Sequence, residues 1–288
     1  MVVGGLVLDN PGSYALMAAF VVVHFASMGD ETILERWCLS SYSVKHRKQW
    51  YRTVSSGFVH SGWIHLALNC LGVWYFGTLV EDLVGPVLLL IFFILCVLGG
   101  SIYSMRLRRQ DYDYQAVGAS GGVMGLMMMA VMWIPPMKLG LFILPIMLPG
   151  WLFALLINWG SMIFSLTDDK QRISHEGHLG GAFWGGMIGA MVMMVVFGVL
   201  RSIGGNAALI EGFNGNAWEQ SWISKLGPFG LKEHAHELLI RWMGMGFNFD
   251  YSMSWVLLWA GILPVGLFWL LQEIKPSIFK RNWWKRQP

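Results

Sequence analysis

The chain has 288 residues, of which 55% are hydrophobic and only 13% are charged, and its formal net charge is +3. Its mean hydropathy is +0.52, a balance that is typical of membrane proteins and excludes an ordinary soluble domain. The three cysteines are too few and too scattered to predict a disulfide framework.

Windows free of Asp, Glu, Lys and Arg predict the membrane-spanning helices. Each window is long enough for a helix of about 20 residues, which crosses a hydrocarbon layer of about 30 Å. The residues before the first window carry no basic side chain, so we expect a short tail there rather than a cleavable signal peptide. The windows, numbered as spans one to seven, are 10–29, 53–80, 83–105, 114–137, 139–167, 177–200 and 251–272.

We therefore predict an all-α fold, a polytopic membrane helix bundle. The first six spans form a membrane domain at 1–200, an interfacial or loop insertion follows at 201–250, and a seventh span with a basic tail occupies 251–288. In the insertion, tryptophans and leucines alternate with charged residues. That pattern fits short interfacial helices, and it fits a surface loop equally well.

Polar residues that can carry chemistry gather near the starts of spans two, four and six. If every span crosses, these three run in the same direction, so their first residues share one face of the membrane. At 1.5 Å rise per residue they lie about one to three turns into their helices. We expect them to meet in one submerged, water-containing pocket. The residues are His60, His65 and Asn69 in span two, Ser120 in span four, and His175 and His178 at span six.

The chemistry that this set allows is nucleophilic acyl transfer. Ser120 is a poor nucleophile alone and needs a base within hydrogen-bond reach. A neutral His178 can take the serine proton and later give it to the leaving amine. The carboxylates near these span starts are Glu176 and Asp113. Neither is assigned to orient the base, so we predict a Ser–His dyad.

Two further polar residues of span two are candidates for stabilising the intermediate. His65 and Asn69 are four residues apart and share a helix face. Their side chains, with the backbone N–H of Ser120, can donate hydrogen bonds to the oxyanion of a tetrahedral intermediate. His60 lies five residues before His65 and points elsewhere, which favours a supporting role.

Glycines surround the serine and line span six. Gly118, Gly121 and Gly122 let the backbone bend around Ser120 and let a substrate strand approach closely. Span six carries a glycine at every fourth position, which allows close packing on another helix. If that helix is span four, His178 is brought toward Ser120. The stripe consists of Gly177, Gly181, Gly185 and Gly189.

These residues, in this order, resemble the rhomboid family of intramembrane serine proteases. The resemblance covers the chain from about residue 50 to residue 189. The chain looks like a bacterial type of this family. Three separate motifs at matching span positions make chance agreement implausible. The matching segments are Tyr51-Arg52, 60–69, Phe76-Gly77, Val80-Glu81, 118–121 and 175–181.

The resemblance implies a six-helix core, to which span seven is an addition. It also implies that the protein is an endopeptidase that cuts substrate transmembrane helices at or near the membrane surface. It implies transmembrane protein substrates in a lipid bilayer, no metal or organic cofactor and no nucleic acid, and it leaves the oligomeric state open. The implied roles are nucleophile for Ser120, base for His178, oxyanion donors for His65 and Asn69, and substrate-binding or supporting positions for Gly118, Gly121, His60 and His175.

Three positions depart from the family pattern or add to it. Tyr51 stands where the family usually has Trp before the arginine. Met124 stands where an aromatic ring often packs on the base, so a ring that fixes the imidazole is missing. Arg52 is most simply a snorkelling anchor at the headgroups, and the resemblance implies that it also braces the first loop. The stretch Pro145–Pro149 in span five looks like the bacterial subgroup.

Other interpretations compete with the protease. Ser120 alone fits a helix-packing serine, and its motif also fits the nucleophile elbow of soluble hydrolases, which needs a preceding strand. A zinc site is the metal alternative, although no metalloprotease helix motif accompanies its histidines. A catalytically inactive rhomboid-like binder of transmembrane helices is the runner-up function, and a channel or transporter is third. The zinc ligands would be His60, His65, His175 and His178.

The orientation in the membrane is the least determined prediction. With seven crossing spans, most Lys and Arg residues share the face of the candidate pocket, and the positive-inside rule then turns that face to the cytoplasm. The resemblance to bacterial members implies the opposite. Three explanations are open: the folding of the family overrides the charge rule, the orientation is reversed, or span seven does not cross, which removes the conflict. We expect a bacterial inner-membrane protein whose pocket opens outward.

Overall fold

The computed structural model describes residues 2–3, 6–7, 9–109, 111–134, 137–140, 147–167, 174–212, 266–267 and 270. Apart from 266, 267 and 270, predicted span seven lies outside the described residues. So does the predicted insertion from residue 213 onward.

Helices dominate the described part of the chain, and the strands are short. They form three separate antiparallel two-stranded ladders, β1 with β2, β3 with β4 and β5 with β6. The strands are β1 (Val2–Val3), β2 (Leu6–Val7), β3 (Leu39–Ser40), β4 (Gln115–Ala116), β5 (Lys138–Gly140) and β6 (Met147–Pro149). The helices are α1 (Pro11–Gly29), α2 (Glu31–Trp37), α3 (Ser41–Arg47), α4 (Arg52–Ser55), α5 (Trp63–Gly72), α6 (Thr78–Leu107), α7 (Ser120–Trp133), α8 (Gly150–Thr167) and α9 (His175–Gly212).

Three helical runs in the described residues are long and apolar enough to cross a membrane, namely Pro11–Gly29, Trp63–Leu107 and His175–Val195. The second joins α5 to α6 through a π-helical turn at Val73–Gly77. At 45 residues it is about twice the length of one span. The backbone leaves helical geometry at Gly85, next to Pro86, so this run holds predicted spans two and three. The helices confirm the all-α membrane bundle.

Helices α5 and α7 begin later than the uncharged windows predict, whereas α9 begins at His175, two residues before its window. Span two was expected from residue 53, but α5 begins at Trp63 and His60 lies before it. Span four was expected from residue 114, but α7 begins at Ser120. The prediction that these two residues lie inside helices by one to three turns is therefore wrong. The windows record only the absence of charged side chains. They do not show the positive φ of Gly118 (+121°), which is incompatible with an α-helix.

Predicted span five begins as a strand ladder rather than a helix. Lys138–Gly140 pairs with Met147–Pro149, with Leu139 opposite Leu148, and α8 starts only at Gly150. A proline lacks the N–H that a helix interior needs and disfavours helix in the residue before it. Pro149 is therefore expected to delay the start of α8. Residues 141–146 lie outside the described residues.

The last described long helix, α9, runs without interruption to Gly212. The predicted domain boundary at residue 200 therefore falls within this helix. Arg201 ends the uncharged window, but a charged side chain does not interrupt the backbone hydrogen bonds of a helix.

Helix α1 is fixed to the start of α6 by a buried carboxylate. Glu81 is only 3% exposed, and its two oxygens accept hydrogen bonds from the backbone N–H groups of Gly12 and Ser13, each at 2.7 Å. The first turn of a helix leaves such donors unpaired and carries a partial positive charge. Pro11, at the first position of α1, has no N–H to satisfy.

The centre of the bundle is the packing of α6, α7 and α9 on one another through glycines. A Cβ added at Gly181 would stand 2.7 Å from the Cα of Gly121, and one at Gly185 would stand 2.6 Å from the carbonyl carbon of Gly125. Because only glycine permits such contact, the backbones of α7 and α9 touch. The predicted stripe of span six therefore does pack on span four.

The first loop, from α2 to α4, is held by a buried arginine. Arg52 is 6% exposed, and its guanidinium donates to the carbonyl oxygens of Glu35 (2.5 Å) and Cys38 (3.0 Å). It also donates to the side-chain oxygen of Gln49 at 2.7 Å. The prediction of a snorkelling anchor is therefore wrong, because this side chain turns inward and braces the loop.

Candidate active site

The loop that leads into Ser120 is shaped by a single glycine. Gly118 has φ of +121°, a conformation that L-residues with a side chain rarely adopt. Its N–H donates to the carbonyl oxygen of Ser56 at 2.8 Å, which ties this loop to the segment after α4. Ser120 then becomes the first residue of α7, with its side chain half-buried.

His65 lies against this same glycine. A Cβ added at Gly118 would stand 2.5 Å from both Cε1 and Nε2 of the His65 ring. The ring therefore fills the space that any other residue at position 118 would need. The structure thus brings α5 to the loop two residues before Ser120, as the shared membrane face of spans two and four predicted.

The other nitrogen of His65 has a partner that fixes the ring. Its Nδ1 lies 3.1 Å from the hydroxyl oxygen of Ser61. When the Ser61 hydroxyl donates to Nδ1, Nε2 carries the proton. His65 then presents an N–H toward Gly118, which is the form that an oxyanion donor requires.

Asn69 lies one turn further along α5 and is 4% exposed. Its Nδ2 donates to the carbonyl oxygen of His65 at 2.8 Å. A side-chain amide has two N–H donors, so this bond fixes the amide and leaves the second N–H for another acceptor.

His178 is in the first turn of α9, and this turn is in contact with the start of α7. A Cβ added at Gly121 would stand 3.1 Å from the carbonyl oxygen of Gly177, so the residues next to Ser120 and His178 touch. Within the described part of the chain, Nε2 of His178 is buried and has no hydrogen-bond partner. An unpaired buried nitrogen is costly unless it is used.

Two side chains flank the His178 ring. The hydroxyl of Ser161, on α8, lies 3.5 Å from Nδ1 of His178. The ring of His175 lies edge-on to His178, with ring centroids 5.7 Å apart, and His175 itself stacks on Phe164. The ring contact that Met124 does not offer is therefore supplied from α9 itself.

His60 lies in the turn before α5 and is 2% exposed. Its ring packs edge-on against His65, with centroids 5.3 Å apart, and on the other side against Phe20 at 5.2 Å. Both ring nitrogens are buried without a hydrogen-bond partner among the described residues. His60 therefore neighbours the candidate oxyanion residue without lying on its helix.

Glu176 is the carboxylate closest in sequence to His178, and it is already engaged. It is 1% exposed and accepts hydrogen bonds from the guanidinium of Arg108 and from the Ser165 hydroxyl at 2.8 Å. These contacts join the start of α9 to α6 and α8. The partner at Nδ1 of His178 is a serine hydroxyl rather than this carboxylate.

A small cavity adjoins Ser120. Its volume is about 30 Å³, and a water molecule needs about 10–15 Å³. Serine hydroxyls and glycine backbone make up much of its wall, so it can hold water. The serines are Ser56, Ser101, Ser104, Ser120 and Ser174.

The described residues contain no group of three or more His, Cys, Asp or Glu side chains arranged to hold a metal ion. The four histidines of the zinc alternative form two ring–ring contacts. One is between His175 and His178, and the other is between His60 and His65.

Several residues of this site were not singled out from the sequence. Ser61 and Ser161 each contact a candidate histidine, and Tyr114 and Ser174 contact each other behind the site. Ser61 lies four residues before His65, and this spacing is a signal that local reasoning can use. The other three depend on contacts between elements distant in sequence, which no local pattern reveals.

Comparison with known proteins identifies the family of this chain. A family model described as the Rhomboid domain matches residues 47–195, which is just over half of the chain. RHOMBOID-like protein 12, mitochondrial, from Arabidopsis thaliana is 26% identical over 63% of this chain and 55% of its own length. Rhomboid protein 1, mitochondrial, from Saccharomyces cerevisiae is 26% identical over 50% of this chain and 42% of its own length.

A bacterial relative also matches. Rhomboid protease GluP from Bacillus subtilis is 26% identical over 59% of this chain and 31% of its own length. The chain thus spans about half or less of the length of these relatives. Its apolar helices of membrane length and the domain match make it an integral membrane protein, and it belongs to the rhomboid family.

Proposed function

We propose that this chain is an intramembrane serine endopeptidase that cleaves transmembrane segments of membrane proteins. The observation that carries the proposal is the contact between the start of α7 and the first turn of α9, beside Ser120 and His178. Membership of the rhomboid family, in which the Bacillus subtilis relative is named a protease, supports peptide-bond cleavage.

In the proposed reaction, Ser120 Oγ attacks the scissile carbonyl carbon while its proton passes to Nε2 of His178. The resulting oxyanion accepts hydrogen bonds from Nε2–H of His65, Nδ2–H of Asn69 and the backbone N–H of Ser120. His178 then gives its proton to the departing amine, which leaves an acyl-enzyme on Ser120. Water, activated by the same histidine, releases the acid and restores the serine.

Ser161 orients the base in this scheme. Its hydroxyl oxygen accepts from Nδ1–H of His178, which holds the tautomer whose Nε2 is free to take a proton. A neutral hydroxyl can fix the tautomer, although it stabilises an imidazolium less than a carboxylate does. The cavity beside Ser120 is the proposed source of the hydrolytic water.

The proposed substrate is a transmembrane helix that can unwind near the membrane surface. A peptide bond in a helix has its carbonyl engaged in the i to i−4 ladder, so the helix must open locally before attack. Residues with low helix propensity near the cut lower that cost. We therefore expect Gly or Pro near the scissile bond to raise the cleavage rate.

The test is cleavage of a transmembrane reporter by the purified 288-residue chain in lipid vesicles. Ser120→Ala and His178→Ala are expected to abolish cleavage. Asn69→Ala is expected to lose about 10- to 1000-fold as one of several oxyanion donors. Cleavage that survives Ser120→Ala would contradict the mechanism.

A serine-reactive phosphonate separates the protease from its runner-up. We expect covalent labelling at Ser120 in the unmodified chain and none in His178→Ala, because labelling needs an activated nucleophile. A chain that binds transmembrane helices but neither cleaves them nor reacts with the phosphonate would be the catalytically inactive binder instead.

The membrane in which the protein resides is part of the proposal. Two relatives carry mitochondrial names and one is bacterial. The bacterial inner membrane, with the active site opening outward, stays a prediction. The reaction geometry is independent of this choice, since it needs only a bilayer and a substrate helix.

A further inference from the structure

A tyrosine hydroxyl connects the loop before Ser120 to the loop before His178. Tyr114 is 4% exposed, and its Oη lies 2.6 Å from Oγ of Ser174. The two residues are sixty positions apart, each shortly before the start of a helix that carries a candidate catalytic residue. None of the steps proposed above uses this contact.

The hydroxyls of Tyr114, Ser174 and Ser104 form one connected cluster. A serine hydroxyl has one hydrogen, and that of Ser104 is donated to the carbonyl oxygen of Gly100 at 2.9 Å. The Ser104 oxygen lies 3.3 Å from Oγ of Ser174, so it can accept the hydrogen of Ser174. In that arrangement the tyrosine is the donor in the short contact with Ser174.

Ser174 also forms two hydrogen bonds with the first turn of α9. Its Oγ accepts from the backbone N–H of Gly177 at 3.1 Å, and its carbonyl oxygen accepts from the N–H of His178 at 3.2 Å. A serine whose hydroxyl satisfies an otherwise unpaired N–H of the first turn fixes where the helix begins. Ser174 thus sets the start of α9, and His178 lies in that first turn.

The other end of the contact is equally fixed. The carbonyl oxygen of Tyr114 accepts from the N–H of Ser41 at 3.1 Å, and the next residue pairs with Ser40 in the β3–β4 ladder. Tyr114 is therefore a rigid part of the segment that continues through Gly118 to Ser120.

We propose that Tyr114 is a positioning residue of the active site, which, through Ser174, sets the position of His178 relative to Ser120. The inference rests on the proposed protease function. A phenol ring could fill the space without its hydroxyl, so the hydroxyl is the group whose role is to be tested.

The test compares Tyr114→Phe with Tyr112→Phe, which removes a hydroxyl from an exposed ring two residues away. We expect Tyr114→Phe to lower kcat for the transmembrane reporter about tenfold and to slow phosphonate labelling of Ser120 similarly, with KM unchanged. Tyr112→Phe is expected to keep the unmodified kcat. If the Tyr114 hydroxyl only stabilised the fold, Tyr114→Phe would lower the thermal stability. The value of kcat, divided by the number of protein molecules that react with the phosphonate, would then be unchanged.

A second pair of variants keeps the test valid if Tyr114→Phe folds poorly. Ser174→Thr retains the hydroxyl and is expected to keep most activity, whereas Ser174→Ala is expected to lose about tenfold in kcat. The double variant of Tyr114→Phe with Ser174→Ala should lose no more than Ser174→Ala alone, because both act through one contact. Additive losses, or an unchanged kcat in Ser174→Ala, would overturn the proposal.

Ser120→Ala separates this inference from the proposed function. If Ser120→Ala still cleaves the reporter, the protease mechanism fails. If Ser120→Ala is inactive while Tyr114→Phe keeps full kcat, the mechanism stands and the positioning role of Tyr114 is wrong.

Discussion

Glu176 and Arg108 form an ion pair between the first turn of α9 and the end of α6. The carboxylate is 1% exposed and the guanidinium side chain 10%. A third helix joins the pair, because the Ser165 hydroxyl of α8 donates to the same carboxylate oxygen. Three helices therefore meet at one buried charge, two residues before His178.

Removing this carboxylate is expected to destabilise the bundle strongly. In Glu176→Gln the guanidinium of Arg108 loses its counter-charge, and breaking a buried pair from one side costs about 3–5 kcal/mol. The free energy of unfolding in a detergent titration measures the loss. Glu35→Gln, at an exposed side chain, is the matched control and should change stability little. Equal effects of the two variants would contradict the role of the pair.

Gly118→Ala is expected to inactivate the protein by displacing His65. The new Cβ would demand space within 2.5 Å of the His65 ring, and the +121° φ is unfavourable for alanine. Moving an oxyanion donor by about 1 Å can cost about 100-fold in rate, so kcat should fall by about that factor.

The control for this variant is Gly62→Ala. Gly62 has extended backbone (φ 168°), and a Cβ added there meets no atom within 4 Å. Reporter cleavage should stay near the unmodified rate. If Gly118→Ala cleaved as fast as Gly62→Ala, the proposed use of His65 would be wrong.

Two contacts near the candidate residues follow from simple regularities of the sequence. Spans of equal parity begin on the same membrane face, so the starts of α5, α7 and α9 were expected to come together, and the structure places His65 against Gly118 and Gly177 against Gly121. Glycines at every fourth residue mark helix faces that pack closely, and Gly181 and Gly185 do contact α7. Both regularities depend only on the chain order and the helix period.

What the sequence did not predict depends on backbone hydrogen bonds and on long-range polar contacts. An uncharged window cannot distinguish a helix from the β5–β6 ladder, so span five was predicted to start too early. Arg52 reads as an interfacial cation unless the carbonyls that it binds are known. Ser161 and Ser174 are ordinary serines until the fold brings them to a histidine and a tyrosine.

Arg52→Lys is expected to weaken the first loop although the charge is kept. The guanidinium fork reaches the carbonyls of Glu35 and Cys38 and the amide oxygen of Gln49 at once, whereas an ammonium is a compact point donor. Leaving one or two of these buried acceptors unpaired should cost about 1–3 kcal/mol in the free energy of unfolding.

Arg47→Lys serves as the comparison for that loss. Arg47 is exposed at the end of α3, and its guanidinium lies 5.5 Å from the centroid of the exposed Tyr42 ring. A lysine can make the same weak cation–π contact, so the stability of this variant should stay close to that of the unmodified chain. A loss of similar size in Arg47→Lys would show that the loop does not depend on the buried fork of Arg52.

The native Cys38 thiol is expected to react slowly with a maleimide at neutral pH. Burial raises the pKa of Cys38, and the guanidinium of Arg52 only partly offsets this. Because the thiolate is the reacting form, a raised pKa means a smaller reactive fraction at any given pH. Labelling of Cys38 should therefore increase only at a higher pH than for a free cysteine. Rapid labelling at pH 7 would contradict its burial.

This slow background allows the orientation of the active site to be measured. Arg47→Cys places a thiol at an exposed position of the first loop, which follows span one and precedes α5, so it lies on the same side as the starts of α5, α7 and α9. If the site opens outward, a membrane-impermeant maleimide added to intact cells should label this cysteine at pH 7. The unmodified chain gives the background, since Cys38 and Cys96 are buried and the half-buried Cys70 lies within α5. Labelling in inverted vesicles alone would place the site on the cytoplasmic side, where the excess of basic residues on this face would then follow the positive-inside rule.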